Sequence, residues 1–146
     1  MTLLFNPFDK LMIQQAIAAA EKQTSGEIRV VIYPDEVSDA VAKAQMEFVR
    51  LGMHRTRERN AVLLLVAPKS HTYAILGDEA IHAKCGPDFW NEIAQTMAAD
   101  FKRGAFNEGV VRAIRRAGEM LAKHFPPSPD DKNELPDDVI ERGIVI

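Results

Sequence analysis

The sequence contains a single cysteine, Cys85, and no hydrophobic run long enough to cross a bilayer. One cysteine cannot form a disulfide within the chain, and secreted domains of this size usually carry paired cysteines, so we expect a cytoplasmic location. The longest uninterrupted apolar segment, Ala61 to Ala67, is far shorter than the roughly 20 residues of a transmembrane helix. The N-terminus lacks the basic region of a signal peptide. We therefore expect neither a leader nor a membrane span.

A strong excess of charge of one sign is also missing. The chain has 18 basic and 21 acidic residues, which leaves a net charge of −3. Proteins that gather nucleic acid or anionic lipid through their overall electrostatic field are usually strongly basic. We therefore expect no nucleic-acid binding, and an anion site would need a local basic patch. The length of 146 residues suits one hydrophobic core.

Apolar periodicity and turn residues predict seven elements in the order α-β-α-β-β-α-α. They are a helix over 7–23 with Asn6 and Pro7 at its start, strand 28–33, a helix capped by Ser38, strand 61–67, strand 72–76, a helix beginning at Gly86 and Pro87, and a last helix capped by Asn107. In the second helix, the spacing predicts that Val41 and Phe48 are buried and that Glu47 faces water.

The strand Ala61 to Ala67 shows no alternation of apolar and polar residues. A strand of this kind is typical of the centre of a sheet that helices cover on both faces. The next strand, 72–76, follows after a short turn and should pair with it antiparallel, which makes the sheet mixed. We therefore predict an α/β fold, a three-layer α/β/α sandwich with a small mixed sheet.

The composition changes at Pro126. Beyond it the chain is rich in proline and acidic residues, a composition typical of an extended or disordered appendage. The sequence thus predicts a domain over 1–125 and an acidic, Pro-rich C-terminal tail over 126–146. The apolar end of the tail, 144–146, could dock on the domain or on a partner.

Three segments resemble, in order and spacing, the TPM domain family: Thr24 to Val31, Arg59 to Ala67, and Phe101 to Gly109. The resemblance covers roughly residues 8–125. This family includes thylakoid-lumen proteins of photosystem II repair and many bacterial proteins of unassigned role. It implies an α/β/α sandwich with a mixed sheet. Relatives commonly carry a signal peptide and a membrane anchor, so this chain resembles a stand-alone soluble branch.

The resemblance also implies an acid-phosphatase activity proposed for the family, and calcium bound by acidic loop residues near the end of the third strand. In this sequence that loop is Gly77 to His82. Ala80 and His82 stand where many relatives have glycine and glutamate. Any hydrolysis here would be metal-assisted, with Asp78 and Glu79 as the candidate catalytic residues that hold a cation and activate water.

The residues themselves suggest the same loop, because ligands of open α/β sheets often lie beyond the carboxyl ends of strands. Asp35 follows the first strand, Asp78 and Glu79 follow the third, and Asp88 lies in the first turn of the next helix. Their carboxylates are ligands that calcium, the implied cofactor, prefers. The alternative is that they are solvated turn residues and that Asp88 interacts with the helix dipole.

The most basic stretch of the chain, residues 53–60, offers a second candidate site. Arg55, Arg57 and Arg59 could bind an anion or an acidic partner, or they could be a solvated run of charge. Two functions are therefore open. The first is a non-enzymatic binding or accessory module with a protein partner, at a membrane system that the relatives inhabit. The second is a metal-dependent, calcium-type phosphohydrolase.

Overall fold

A four-stranded mixed sheet forms the centre of the fold, which the computed structural model describes over residues 8–127 and 139–141. Its strands are β1 (Glu27–Ile32), β2 (Ala61–Ala67), β3 (Thr72–Gly77) and β4 (Val139–Glu141). The spatial order is β3-β2-β1-β4. Strand β1 runs parallel to β2 and β4, whereas β2 and β3 are antiparallel, as predicted for the hairpin.

Four helices pack on this sheet. They are α1 (Lys10–Glu21), α2 (Ala40–Arg50), α3 (Glu79–Lys102) and α4 (Phe106–His124). The order of the first seven elements confirms the sequence prediction, and β4 is added after the last helix. In the described part of the chain, no helix is long and apolar enough to cross a membrane.

Strand β2 is buried along its whole length, which confirms the expectation drawn from its unbroken apolar run. Val62, Leu64 and Val66 belong to the core shared with α1, α3 and α4. The alternate side chains, including Leu63 and Leu65, belong to the core beneath α2. The molecule is therefore a three-layer α/β/α sandwich, because successive side chains of a strand point to opposite faces.

The helix ends differ from prediction because neighbouring acidic residues provide the caps. Asp9 caps α1, and Asp39, rather than Ser38, caps α2, each by accepting the backbone N–H three residues further along. Asn107 lies inside α4 and its Oδ1 accepts the N–H of Asp9 at 2.7 Å. It therefore ties α4 to the start of α1. The predicted cap Asn6 lies outside the described residues.

Helix α3 begins earlier than predicted, directly after Asp78, and has a kink at Gly86. Gly86 has a φ of 76°, a conformation that glycine adopts more easily than other residues. Pro87 then occupies the first position of the second half, where a missing N–H costs nothing. The predicted start at Gly86 is thus a kink inside a longer helix that begins at Glu79.

The prediction for α2 was right for Phe48, which is buried, but wrong for Val41 and Glu47. Val41 is 51% exposed, whereas Glu47 is completely buried. Glu47 is stabilised inside the protein because its Oε2 accepts the hydroxyl of Tyr33 at 3.2 Å and its Oε1 lies 3.7 Å from Arg50. The buried side of α2 therefore includes Glu47, and Val41 lies on its exposed side.

Part of the predicted tail belongs to the sheet. Val139–Glu141 forms β4, with Val139 opposite Val30 of β1. Val139 also packs against the core beneath α1, α3 and α4. The remaining tail residues after 127, including 144–146, lie outside the described part, and the division of the chain at residue 126 stays a prediction.

Candidate functional site

The topology of the sheet separates the predicted acidic ligands. Strand β3 is antiparallel to β2 and pairs Gly77 with Val62, so β3 ends where β1 and β2 begin. We call this end of the sheet the amino edge. Asp78 lies there, whereas Asp35 follows the end of β1 at the opposite, carboxyl edge. The two carboxylates are therefore on opposite ends of the sheet.

Asp78 is buried and forms a bidentate ion pair with Arg59. The Nε of Arg59 lies 2.7 Å from Oδ2, and its Nη2 lies 2.9 Å from Oδ1. Oδ1 also accepts the backbone N–H of Glu79 at 2.8 Å, which caps α3. The hydrogen bond to Asp78 raises the pKa of the Arg59 guanidinium above its usual value. Both carboxylate oxygens are thus engaged by donors within the protein.

Backbone hydrogen bonds surround this pair and close the open end of the β2–β3 hairpin. The N–H of Asp78 donates to the carbonyl of Ala61 at 2.8 Å, and the N–H of Ala80 donates to the carbonyl of Arg59 at 3.0 Å. Arg59 itself has a φ of 53°, in the left-handed region that non-glycine residues rarely adopt. We call Arg59, Asp78 and these backbone bonds the hairpin clasp.

The other predicted ligands do not join Asp78. Glu79 is exposed, and its Oε1 lies 3.3 Å from Nη1 of Arg59. Asp88 is exposed beyond the kink of α3, and Asp35 is half-buried at the other edge. Within residues 8–127 and 139–141, no group of three or more His, Cys, Asp or Glu side chains is arranged to hold a metal ion. The structure does not assemble the predicted four-carboxylate calcium site there.

The three predicted anion-binding arginines also divide. Arg55 and Arg57 are exposed between α2 and β2, whereas Arg59 is half-buried and turned into the clasp. The three arginines therefore do not form one exposed basic face. Arg59 has a structural contact that explains its position without a ligand.

His82 and Cys85 both lie in the first half of α3, before the kink at Gly86. The indole Nε1 of Trp90 donates to Nδ1 of His82 at 3.1 Å, which bridges the two halves of the kinked helix. Cys85 is a half-buried free thiol, and burial raises its pKa.

Polar residues at the amino edge hold neighbouring loops together. Ser25 donates from its hydroxyl to Glu58, and the amide of Asn60 donates to both residues at 3.2 Å. Thr24 donates to the carbonyl of Phe125, at the end of α4. These contacts join the loop before β1, the loop before β2 and the end of the last helix.

An exposed surface on α2 was not predicted from the sequence. Val41, Met46 and Val49 are 51%, 46% and 63% exposed, and Gln45 lies between them. The charged side of the helix points elsewhere, because Nζ of Lys43 lies 5.9 Å above the ring of Tyr33, directly after β1. The uncharged side of α2 is therefore directed away from β1.

A cleft between α2 and β3 shows where this uncharged side lies. It has a volume of about 310 Å³ and is lined by Gln45, Phe48 and Val49 of α2 and by Leu76, Gly77 and Asp78 at the end of β3. Strand β3 is the outermost strand at this side of the sheet in the described part of the chain. We call Val41, Gln45, Met46, Val49 and the outer side of β3 the α2–β3 surface.

A second hollow, of about 370 Å³, lies between α1 and α4 on the opposite face of the sheet. Its walls are mainly small side chains, such as Ala16, Ala20 and Ala122. Gly118 allows this close approach, because a Cβ there would lie 2.8 Å from Cβ of Ala20. The hollow is thus a groove between two tightly packed helices.

Comparison with known proteins agrees with this fold. The family model of the TPM domain matches residues 2–120. The chain belongs to the TPM domain family. The NMR structure of the BA42 protein from the psychrophilic bacterium Bizionia argentinensis is similar, with 39% sequence identity, a TM-score of 0.82, and coverage of 90% of this chain and 91% of that chain. A search of curated proteins found no match.

The glycines in the segments that resemble the TPM family have packing roles in this TPM domain. A Cβ on Gly26 would lie 2.8 Å from a methyl group of Leu121, and one on Gly109 would lie 2.8 Å from the ring of Phe101. Both distances are too short for a side chain without movement of the neighbour. Glycine at these two positions thus allows close packing, of Gly26 against α4 and of Gly109 against α3.

Proposed function

We propose that this TPM domain is a non-enzymatic binding module that contacts a protein partner through the α2–β3 surface. The observation that carries the proposal is the uncharged, exposed side of α2 beside an open edge strand. Single exposed apolar residues are common on protein surfaces. A run of them next to unpaired strand groups is typical of an interaction site, since an edge strand can pair with a partner and the side chains supply apolar contact.

The clasp supports a structural role for the acidic loop. A phosphohydrolase of the predicted kind would need the oxygens of Asp78 on a cation, and calcium takes 6–8 oxygen ligands. In this domain Arg59 and the backbone of α3 already engage both oxygens of Asp78. Glu79 alone is a poor basis for such a site.

Site-specific photo-crosslinking in cells tests the binding surface. A photoreactive side chain at position 49 should give a discrete crosslinked product, because Val49 is 63% exposed on the α2–β3 surface. The matched control is position 43 on the same helix, which is exposed on the side toward Tyr33. Absence of a product at position 49, or equal products at both positions, would overturn the proposal.

A second experiment addresses the phosphohydrolase alternative. Purified protein is incubated with p-nitrophenyl phosphate, with and without calcium, and its melting temperature is measured in both conditions. We expect no turnover and no rise in melting temperature, since a cation that binds only the folded state would stabilise it. Turnover that is lost in Glu79→Gln without a change in melting temperature would contradict the non-enzymatic proposal.

A further inference from the structure

We infer that the partner that fits the α2–β3 surface is a second copy of this chain, which docks by antiparallel pairing of β3 with its own counterpart. The inference rests on the proposed function, because it names the partner of the same surface. Three features support it: the direction of α2 relative to β3, the spacing of the apolar residues on α2, and the charges at the two ends of β3.

The first feature is direction. Helix α2 connects the parallel strands β1 and β2, so it runs antiparallel to both. Strand β3 is also antiparallel to β2. Helix α2 and β3 therefore run the same way along one side of the molecule. A two-fold axis that pairs β3 with a second β3 would place the two α2 helices side by side and antiparallel, on the same face of a continuous sheet.

The second feature is the spacing on α2. Val41, Gln45 and Val49 are four residues apart, so they form one stripe along the helix. In an antiparallel pair of helices, Val41 of one copy lies toward Val49 of the other, and Gln45 lies toward its counterpart. The stripe is thus self-complementary, with apolar groups on apolar groups and a central amide facing an amide.

The third feature is charge. Lys69 and His71 are exposed within three residues before β3, and Glu79, which also contacts Arg59, is exposed two residues after it. Antiparallel pairing turns the beginning of one β3 toward the end of the other. The basic end of each copy would then approach the acidic end of its neighbour, twice across the two-fold axis. Such complementarity favours this orientation over a parallel one, which would bring like charges together.

Sedimentation velocity over a wide concentration series tests the inference on the full chain. We expect the mass to rise from one copy to two as the concentration increases. Val49→Glu should weaken self-association by about tenfold or more, because it places a carboxylate in the apolar stripe. Lys43→Glu is the matched control on the other side of the same helix and should associate like the wild type. Melting temperatures and circular dichroism confirm that each variant is folded.

A charge reversal gives a second, independent readout. Lys69→Glu alone should weaken association, and so should Glu79→Lys alone. The double variant should regain much of the lost association, since the opposite charges again meet across the axis. Failure of this rescue would overturn the antiparallel arrangement, as would a dimer that Val49→Glu does not affect.

The two proposals can fail separately. A wild-type protein that stays monomeric at every concentration overturns the second copy as partner. The binding function then survives only if the crosslinked product from position 49 has a mass other than twice that of the chain. A product of twice that mass, together with a concentration-dependent dimer, supports both.

Discussion

The two faces of the sheet are covered very differently. On one face, α1, α3 and α4 bury alternate residues of β2, and edge-to-face contacts between Phe8, Phe101 and Phe106 close one end of that core. On the other face, α2 is the long helix that covers the sheet in the described part of the chain, and its uncharged outer side is exposed beside β3. The three-helix face is thus a closed core, whereas the α2 face combines a core with an exposed, uncharged side, which is the proposed contact surface.

The largest expected effect separates a residue of the three-helix core from one of the α2–β3 surface. Leu64→Ala should lower the free energy of unfolding by about 2–5 kcal/mol, because Leu64 is fully buried and its removal leaves a cavity. Val49→Ala should change it by less than about 0.5 kcal/mol. Urea unfolding measures both. Similar losses in the two variants would break the comparison.

A smaller effect is expected at the clasp, which closes the open end of the β2–β3 hairpin at the amino edge. Asp78→Ala should destabilise the protein by about 0.5–2 kcal/mol, since it removes the cap of α3 as well as the ion pair. Glu79→Ala is the control, because Glu79 is exposed, and should cost less than about 0.5 kcal/mol. In a cycle with Arg59→Ala, the two losses should not add. Additive losses would show that the pair is not coupled.

The smallest effect is chemical and compares two thiols. Burial raises the pKa of Cys85, so less thiolate is present near neutral pH and alkylation should be slower than for an exposed thiol. A cysteine introduced by Val49→Cys should react at an ordinary rate in dilute solution. If Cys85 reacts as fast as the introduced cysteine, its thiol is more accessible to solvent than the structure indicates.

The same shift predicts how stability depends on pH. Below the ordinary pKa of a thiol, folded and unfolded chains both keep the proton on Cys85. Above it, the unfolded chain releases the proton first, so the stability should fall slightly as the pH rises. Cys85→Ser should reduce this alkaline loss, which thermal unfolding on either side of the thiol pKa would measure.

Much of the fold could be predicted because β2 and its turn to β3 carry strong local signals. The unbroken run Ala61–Ala67 predicted burial on both faces, and the short turn at Pro68 predicted the hairpin. Strand β4 was missed because its described part is three residues long and lies in an acidic, Pro-rich segment. Its pairing depends on β1, more than 100 positions away, which no local pattern reveals.

The orientation of α2 shows a different limit. Helical periodicity gives the spacing of the buried residues. Which side of the helix is buried is usually inferred from its charged residues, which are expected to face water. Glu47 is buried because Tyr33, outside the helix, donates a hydrogen bond to it. The sequence contains no signal of that contact, so the buried position of Glu47 and the exposed position of Val41 could not be predicted.

The clasp, in contrast, followed from a feature that the sequence did predict. Residues that flank the open end of an antiparallel hairpin are neighbours, so Arg59 before β2 and Asp78 after β3 should meet. The same hairpin places Asp78 at the opposite end of the sheet from Asp35. Asp35 and Asp78 could meet only if the ends of β1 and β3 lay at one edge of the sheet, and the antiparallel pairing of β3 places them at opposite edges.

The short strand β4 has a consequence for assembly size. Very short edge strands offer few free backbone groups to a neighbouring chain, and β4 has three residues in the described part of the chain. Under the proposed pairing the sheet is extended at β3, which has six residues and offers more backbone groups than the described β4. Growth by β3 uses the same strand in both copies, so it would end at a closed pair and would not continue into a fibril.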